Sequence, residues 1–257
     1  MASRKEEKER LRRQRLDAER RSSADARKRL MVGYVVAGVL ALAVVGGAIF
    51  AIVSGGSDGG GGGGGEDSSD NVNTVFGFLP EDLPVDEREG TPPPEVVNGD
   101  LTGAAREAGC DLQLDLKDEG NSHFDDENKV VEYDTNPPTS GDHYANFSEA
   151  GSGALADGAF LETPNWNRLV HSLEHGRVEI QYSPDLPEEE QLALKGLFDE
   201  ARPGVDLFPN SEMPYEVAVT GWTQLISCDS FEGGPTLDAI RAFRAEYLGQ
   251  GPEPVGF

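Results

Sequence analysis

The sequence predicts an α+β fold: a single compact extracytoplasmic domain with a small β-sheet and packed helices, behind one transmembrane helix. Three observations carry this expectation. Residues 30–53, LMVGYVVAGVLALAVVGGAIFAIV, hold no charged side chain. Charge is distributed very unequally on the two sides of that run. Beyond residue 99, segments with helical and with strand periodicity alternate, as they do where helices pack on a sheet.

The apolar run is 24 residues long. At helical rise it crosses a hydrocarbon core of about 30 Å with room for tilt. A cleaved signal peptide would have a shorter apolar stretch and a small-residue cleavage site. Here a charged segment of 29 residues precedes the run, so an uncleaved anchor is expected, with the lipid bilayer as the partner of residues 30–53. Residues 1–29 carry twelve Lys and Arg, and the next basic residue after the run is Arg88. That asymmetry predicts a single-pass protein of the cell membrane, with a cytoplasmic N-terminus and an extracellular C-terminal domain.

Four segments follow from composition. Residues 1–29 form a charged cytoplasmic segment, too poor in apolar positions for a core. Residues 30–53 are the transmembrane helix, and residues 54–98 are a Gly-, acid- and Pro-rich flexible linker that opens on SGGSDGGGGGGGEDSSDN. Residues 99–257 are the folded extracytoplasmic domain, of ordinary domain size.

Within that domain each element has a local cause. Asp100 to Ala108 reads as a short helix stopped near Gly109. Val130 to Tyr133 reads as a short strand. NPPTSGDHY, residues 136–144, reads as loop, because two prolines and a glycine do not fit a ladder. Asn165 to His175 has apolar residues at helical spacing (Trp166, Leu169, Val170, Leu173) and a stop at Gly176. Arg177 to Tyr182, RVEIQY, alternates as a strand does. Glu188 to Ala201 is a helix with Leu192, Leu194, Leu197 and Phe198 as its apolar residues. Tyr215 to Ser227 reads as one or two strands. Thr236 to Leu248 is a closing helix, with Leu237, Ile240, Phe243 and Tyr247 on one side.

Beyond the anchor lie 41 of the 47 acids and 10 of the 22 bases. So negative a domain repels phosphate, which excludes nucleic acid as a partner. The two cysteines, Cys110 and Cys228, both fall on the outer side. An even pair in an oxidising compartment predicts one disulfide.

The chain has four histidines, His123, His143, His171 and His175, all within 53 residues of one another. His171 and His175 stand at i and i+4, so on a helix their rings share a face and could grip one divalent ion. His143, from the PPTSGDHY loop, would supply a third ligand, and His123, from EGNSHF, a fourth. Zn or Cu are the metals such a set would take, and Met213 could add a soft ligand for copper. The plainer alternative is that the histidines are structural and hold loops to the sheet through hydrogen bonds.

LVHSLEHG also contains H-x-x-E-H, the inverted zincin signature. In a metal-dependent hydrolase His171 and His175 would bind zinc and Glu174 would activate water. That signature needs a long helix and a remote acidic ligand. Here Gly176 ends the helix at once, and Glu253 lies in a Pro-rich tail. A non-catalytic protein of the cell envelope is a third reading. No nucleophile elbow, Walker loop or dinucleotide fingerprint occurs beyond the anchor.

YDTNPPTSGDHY (133–144), GAFLETPNWNRLVHSLEHGRVEIQYSP (158–184), VAVTGWTQLISCD (217–229) and IRAFRAEYLGQGPEP (240–254) carry a resemblance. Through the PPTSGxHY and LVHxLEHG blocks above all, the chain resembles a bacterial, mainly actinobacterial, family of membrane-anchored domains of unknown function. The resemblance covers about residues 100–255 and includes His123, His143, His171, Glu174, His175 and Gly176. It implies the topology and the integrity of the domain. It implies no reaction.

Overall fold

The computed structural model describes residues 72–73 and 76–256. The charged segment 1–29, the apolar run 30–53 and the glycine tract lie outside the described residues. Among the described residues no helix is long and apolar enough to cross a membrane.

In chain order the strands are β1 (Val72–Asn73), β2 (Asp111–Gln113), β3 (His123–Phe124), β4 (His143–Tyr144), β5 (Asp157–Gly158), β6 (Val178–Tyr182), β7 (Val205–Pro209), β8 (Val217–Gly221) and β9 (Gln224–Cys228). The helices are α1 (Leu101–Ala108), α2 (Trp166–Glu174), α3 (Glu188–Glu200) and α4 (Gly234–Tyr247). The domain is α+β, built on a mixed five-stranded sheet in the order β2-β9-β8-β6-β7. β6 and β7 run parallel and the other pairings of this sheet are antiparallel. A parallel pair needs a crossover, which α3 supplies.

One face of the sheet carries the main core. Val178, Ile180, Val205, Leu207, Val217 and Val219 pack there against Ala104 and Ala105 of α1, Leu194 and Leu197 of α3, and Ile240 and Phe243 of α4. Each of the larger of these side chains, the valines, leucines, isoleucines and Phe243, contributes roughly 1.5–3 kcal/mol when fully buried. The opposite face is covered by α2 and its neighbouring loops: Leu169 of α2 meets Phe208 of β7, with Leu155 and Phe160 between. The alternation of RVEIQY therefore separates two buried faces. Glu179 and Gln181 point away from the apolar core and are still fully buried.

Local chemistry sets the helix ends. The Asp100 carboxylate accepts from Gly103 N at the start of α1, and Gly109 closes it at φ 69°. Asn165 caps α2 by accepting from Asn167 N. Residues 110 and 228 flank the β2–β9 pair, where Asp111 stands opposite Ser227, and Cys110 and Cys228 form the expected disulfide.

Three expectations need correction. His143 and Tyr144, read as the end of the 136–144 loop, form β4 against β3, because the two prolines and the glycine that break a ladder lie before them. Val130 to Tyr133 is not a strand: no chain pairs with it and Val130 is 88% exposed. The nearby carbonyls of Glu127 and Lys129 accept from the Asn167 amide, so they need no ladder. Residues 76–98, read from composition as part of a flexible linker, belong to the compact domain. Phe78 N donates to Ala154 O and Thr91 N to Leu192 O, each at 2.8 Å. The Asp238 carboxylate accepts from both Val97 N and Asn98 N at 2.9 Å. Proline removes donors from this segment, and the remaining N–H groups named here find acceptors on the domain.

Candidate metal centre

Two elements build the site. α2 carries His171 one turn before its end and Glu174 as its last residue; His175 is the C-cap. β3 and β4 form a two-residue parallel pair in which His123 stands opposite His143, with ring centroids 4.7 Å apart. The His143 ring stacks on that of His171, again at 4.7 Å between centroids.

His123, His143, His171 and Glu174 each offer one ligand atom, and these four atoms lie within 4.8 Å of one another. Such a group could hold a metal ion. His143, His171 and Glu174 are buried; the His123 side chain is 30% exposed. It borders an open cavity of about 630 Å³ lined also by Phe124, Asn146 and Phe147, the last 80% exposed.

The hydrogen bonds decide which nitrogens carry protons. A backbone carbonyl only accepts, so His143 Nδ1, 2.8 Å from Gly141 O, must donate. In the neutral ring Nε2 then bears a lone pair. It faces Glu174 Oε2, an acceptor, at 3.2 Å. His123 Nε2 approaches the same oxygen at 3.1 Å. The other carboxylate oxygen, Glu174 Oε1, and His171 Nδ1 are buried with no hydrogen-bond partner. Burial, and then the neighbouring histidine charges, push the His171 pKa down to about 3. Burial raises the Glu174 carboxyl; it comes down to about 2 only with His143 and His123 protonated and donating to it, and with His143 neutral a cation takes the place of those protons. Both groups are thus held in the form that binds a cation.

His175 stands outside the group of four. Its Nδ1 donates to Glu253 O at 2.8 Å, and its Nε2 lies 3.0 Å from His171 Nε2. Met213 packs with Ala218 and Leu225, in another part of the domain. Sequence reasoning named the histidines and Glu174. It did not find the carbonyls of Gly141 and Glu253, because a carbonyl leaves no mark on composition or spacing.

The fold and the site together define an α+β domain with a three-histidine, one-glutamate group, buried except at His123. The family model described as "Protein of unknown function (DUF3105)" matches residues 123–256, just over half of the chain, and the chain belongs to that family. The matched span opens on His123 and contains the other three members of the group as well as His175 and Glu253. No curated protein and no solved structure matches the chain.

Proposed function

We propose that this protein is a membrane-anchored, extracytoplasmic metal-binding protein, which takes one Zn²⁺ or Cu²⁺ ion through His123, His143, His171 and Glu174. The observation that carries the reading is the meeting of acceptors in a buried place. With its Nδ1 proton committed to Gly141 O, neutral His143 turns a lone pair toward a carboxylate oxygen. Glu174 Oε1 and His171 Nδ1 add two further acceptors or lone pairs without partners. A cation among them satisfies all of these at once; without one, buried acceptors repel. Three imidazoles and one carboxylate suit zinc or copper(II), whereas magnesium and calcium favour oxygen ligands throughout.

Binding is favoured over hydrolysis by the place of Glu174. A general base for water must be free to take a proton. Here Glu174 Oε2 lies within 3.2 Å of two histidine nitrogens, as a ligand would. The extracytoplasmic location is supported by the Cys110–Cys228 disulfide, which an oxidising compartment preserves, and by the basic residues ahead of the apolar run.

The test is elemental analysis of the purified full-length protein, followed by titration with Zn²⁺ and Cu²⁺. One equivalent taken up by the wild type and lost in His143→Ala is the expected result. No uptake by a folded wild type would sink the metal reading.

A further inference from the structure

The C-terminal segment after α4 runs back along the end of α2. Gly249 N donates to Gly176 O at 2.8 Å, Glu253 N to Glu174 O at 3.1 Å and Val255 N to His175 O at 3.4 Å. Glycine permits this approach at two places. A Cβ on Gly251 would stand 2.0 Å from Glu174 O, and one on Gly176, at φ 83°, would stand 2.8 Å from Gly249 Cα. The segment is therefore a strap laid directly on the residues that form the site, and it places the Glu253 carbonyl against His175 Nδ1.

Proton positions follow along this line. The carbonyl of Glu253 accepts, so His175 carries its proton on Nδ1 and has a lone pair on Nε2. That lone pair meets His171 Nε2 at 3.0 Å, and a hydrogen bond there needs the proton on His171. The lone pair of neutral His171 is then on Nδ1, the buried atom with no partner. His143 is the reverse case: its Nδ1 is committed to Gly141 O and its Nε2 is left to ligate.

We infer that His175 is a positioning residue: backed by the strap at Glu253, it holds His171 as the Nε2–H tautomer and so dedicates His171 Nδ1 to the metal. This rests on the metal reading proposed above. In this arrangement the i, i+4 histidines act in series. The first is a ligand, and the second is the hydrogen-bond partner that fixes the ligand's tautomer and orientation. Partners of this kind commonly change metal affinity by about 10–100-fold.

The experiment uses the full-length protein in detergent, labelled with ¹⁵N, and three variants. His175→Phe keeps a ring and removes both hydrogen bonds. His175→Gln offers an amide that can donate to Glu253 O and accept from His171. Gly251→Ala pushes the strap off Glu174 without altering a histidine. Histidine tautomers are read from long-range ¹H–¹⁵N spectra with and without Zn²⁺, affinity by competition with a chromophoric chelator, and folding by the thermal melt. The expected results are an Nε2–H His171 in the metal-free protein and a Zn²⁺-induced shift at His171 Nδ1. Affinity should fall by about 10–100-fold in His175→Phe and in Gly251→Ala, and by less than about 10-fold in His175→Gln.

The inference is overturned if Zn²⁺ shifts His175 Nε2 as it would a ligand, or if His171 carries its proton on Nδ1. It is overturned equally if folded His175→Phe binds Zn²⁺ as tightly as wild type does. Should His175→Phe fail to fold, Gly251→Ala with unchanged affinity overturns it as well. Absence of uptake by wild type would remove the metal reading itself, and the positioning role with it. That result is distinct from a wild type that binds and variants that bind equally well.

Discussion

Glu179 and Asp206 are register partners across the parallel β6–β7 pair, and both side chains are fully buried. Burial pushes Glu179 up to about 8, with only partial relief from the Thr220 hydroxyl. Burial, and then the charges of Asp157 and Glu179, raise Asp206 well above the usual carboxylate range. Between about pH 4.3, where an exposed Glu ionises, and about pH 8, the folded protein holds a proton on Glu179 that the unfolded chain has released. Its stabilising contribution is thus complete below the unfolded pKa and is lost as pH rises through that window. Glu179→Gln keeps a neutral side chain of the same shape. It should melt near wild type at pH 4–5 and above wild type at pH 8, by an amount on the order of a few kcal/mol. Parallel pH profiles of melting temperature for the two proteins would refute this.

Arg168 is the fixed point of the loops around α2. Its guanidinium lies between the rings of Phe78 and Tyr144, at 4.5 and 4.6 Å from the centroids. It donates to the Glu127 carboxylate through Nε and Nη2, and through Nη1 to Glu149 Oε2 at 2.6 Å and Gly153 O at 2.8 Å. A lysine can neither fork to two carboxylates nor stack in the same way. Arg168→Lys should cost roughly 2–3 kcal/mol, and the melting temperature should fall by about 4–10 °C. A shift under about 1 °C would show that the network contributes little.

The fold was legible where the local pattern and the tertiary demand agree. α1, α2, α3 and α4 come at the expected places because apolar spacing and caps coincide. β7 was missed: VDLFP follows Pro203-Gly204 and itself ends on Pro209, and its polar Asp206 is buried in the sheet for reasons outside its own segment. The linker boundary was misplaced because proline and acid content resembles that of a flexible chain. Here the segment's backbone donors meet acceptors far away in sequence. At the site the donor types were visible, since four histidines in one window stand out. Their geometry was not visible. Helical spacing paired His171 with His175, while the parallel β3–β4 contact that brings His123 beside His143 depends on two residues and has no periodic signal.

The disulfide gives a third prediction. Cys110 and Cys228 are 118 residues apart, so the bond closes the five strands of the main sheet and two of the four helices, α2 and α3, into a loop. Constraining an unfolded loop of that size is worth roughly 2–5 kcal/mol. Thiol labelling of denatured, unreduced protein should find no free sulfhydryl. The Cys110→Ala/Cys228→Ala double variant should melt about 5–15 °C below wild type. Equal melting temperatures would show that packing alone holds β2 to β9.

The last prediction separates two ligands of the proposed site by burial. His143 is fully buried, with one nitrogen tied to Gly141 O and its ring packed against those of His171 and His123. His123 is the partly exposed member and borders the cavity of about 630 Å³. Removal of His123 opens a coordination position that water can reach from the cavity, and water is an acceptable fourth ligand for zinc. Removal of His143 leaves a buried gap beside Glu174 that solvent does not reach from that side, and the lost ligand is not replaced. His123→Ala should therefore keep Zn²⁺ binding, weakened by about 10-fold, with faster release into excess chelator. His143→Ala should lose about 100-fold or more. Bound metal raises the melting temperature by mass action, about 4 kcal/mol at a free concentration of 1,000 Kd. Zn²⁺ should consequently stabilise wild type strongly, His123→Ala less, and His143→Ala hardly at all. The reverse order of the two variants would place the metal at the rim, on His123 and the cavity residues, instead of among the buried donors.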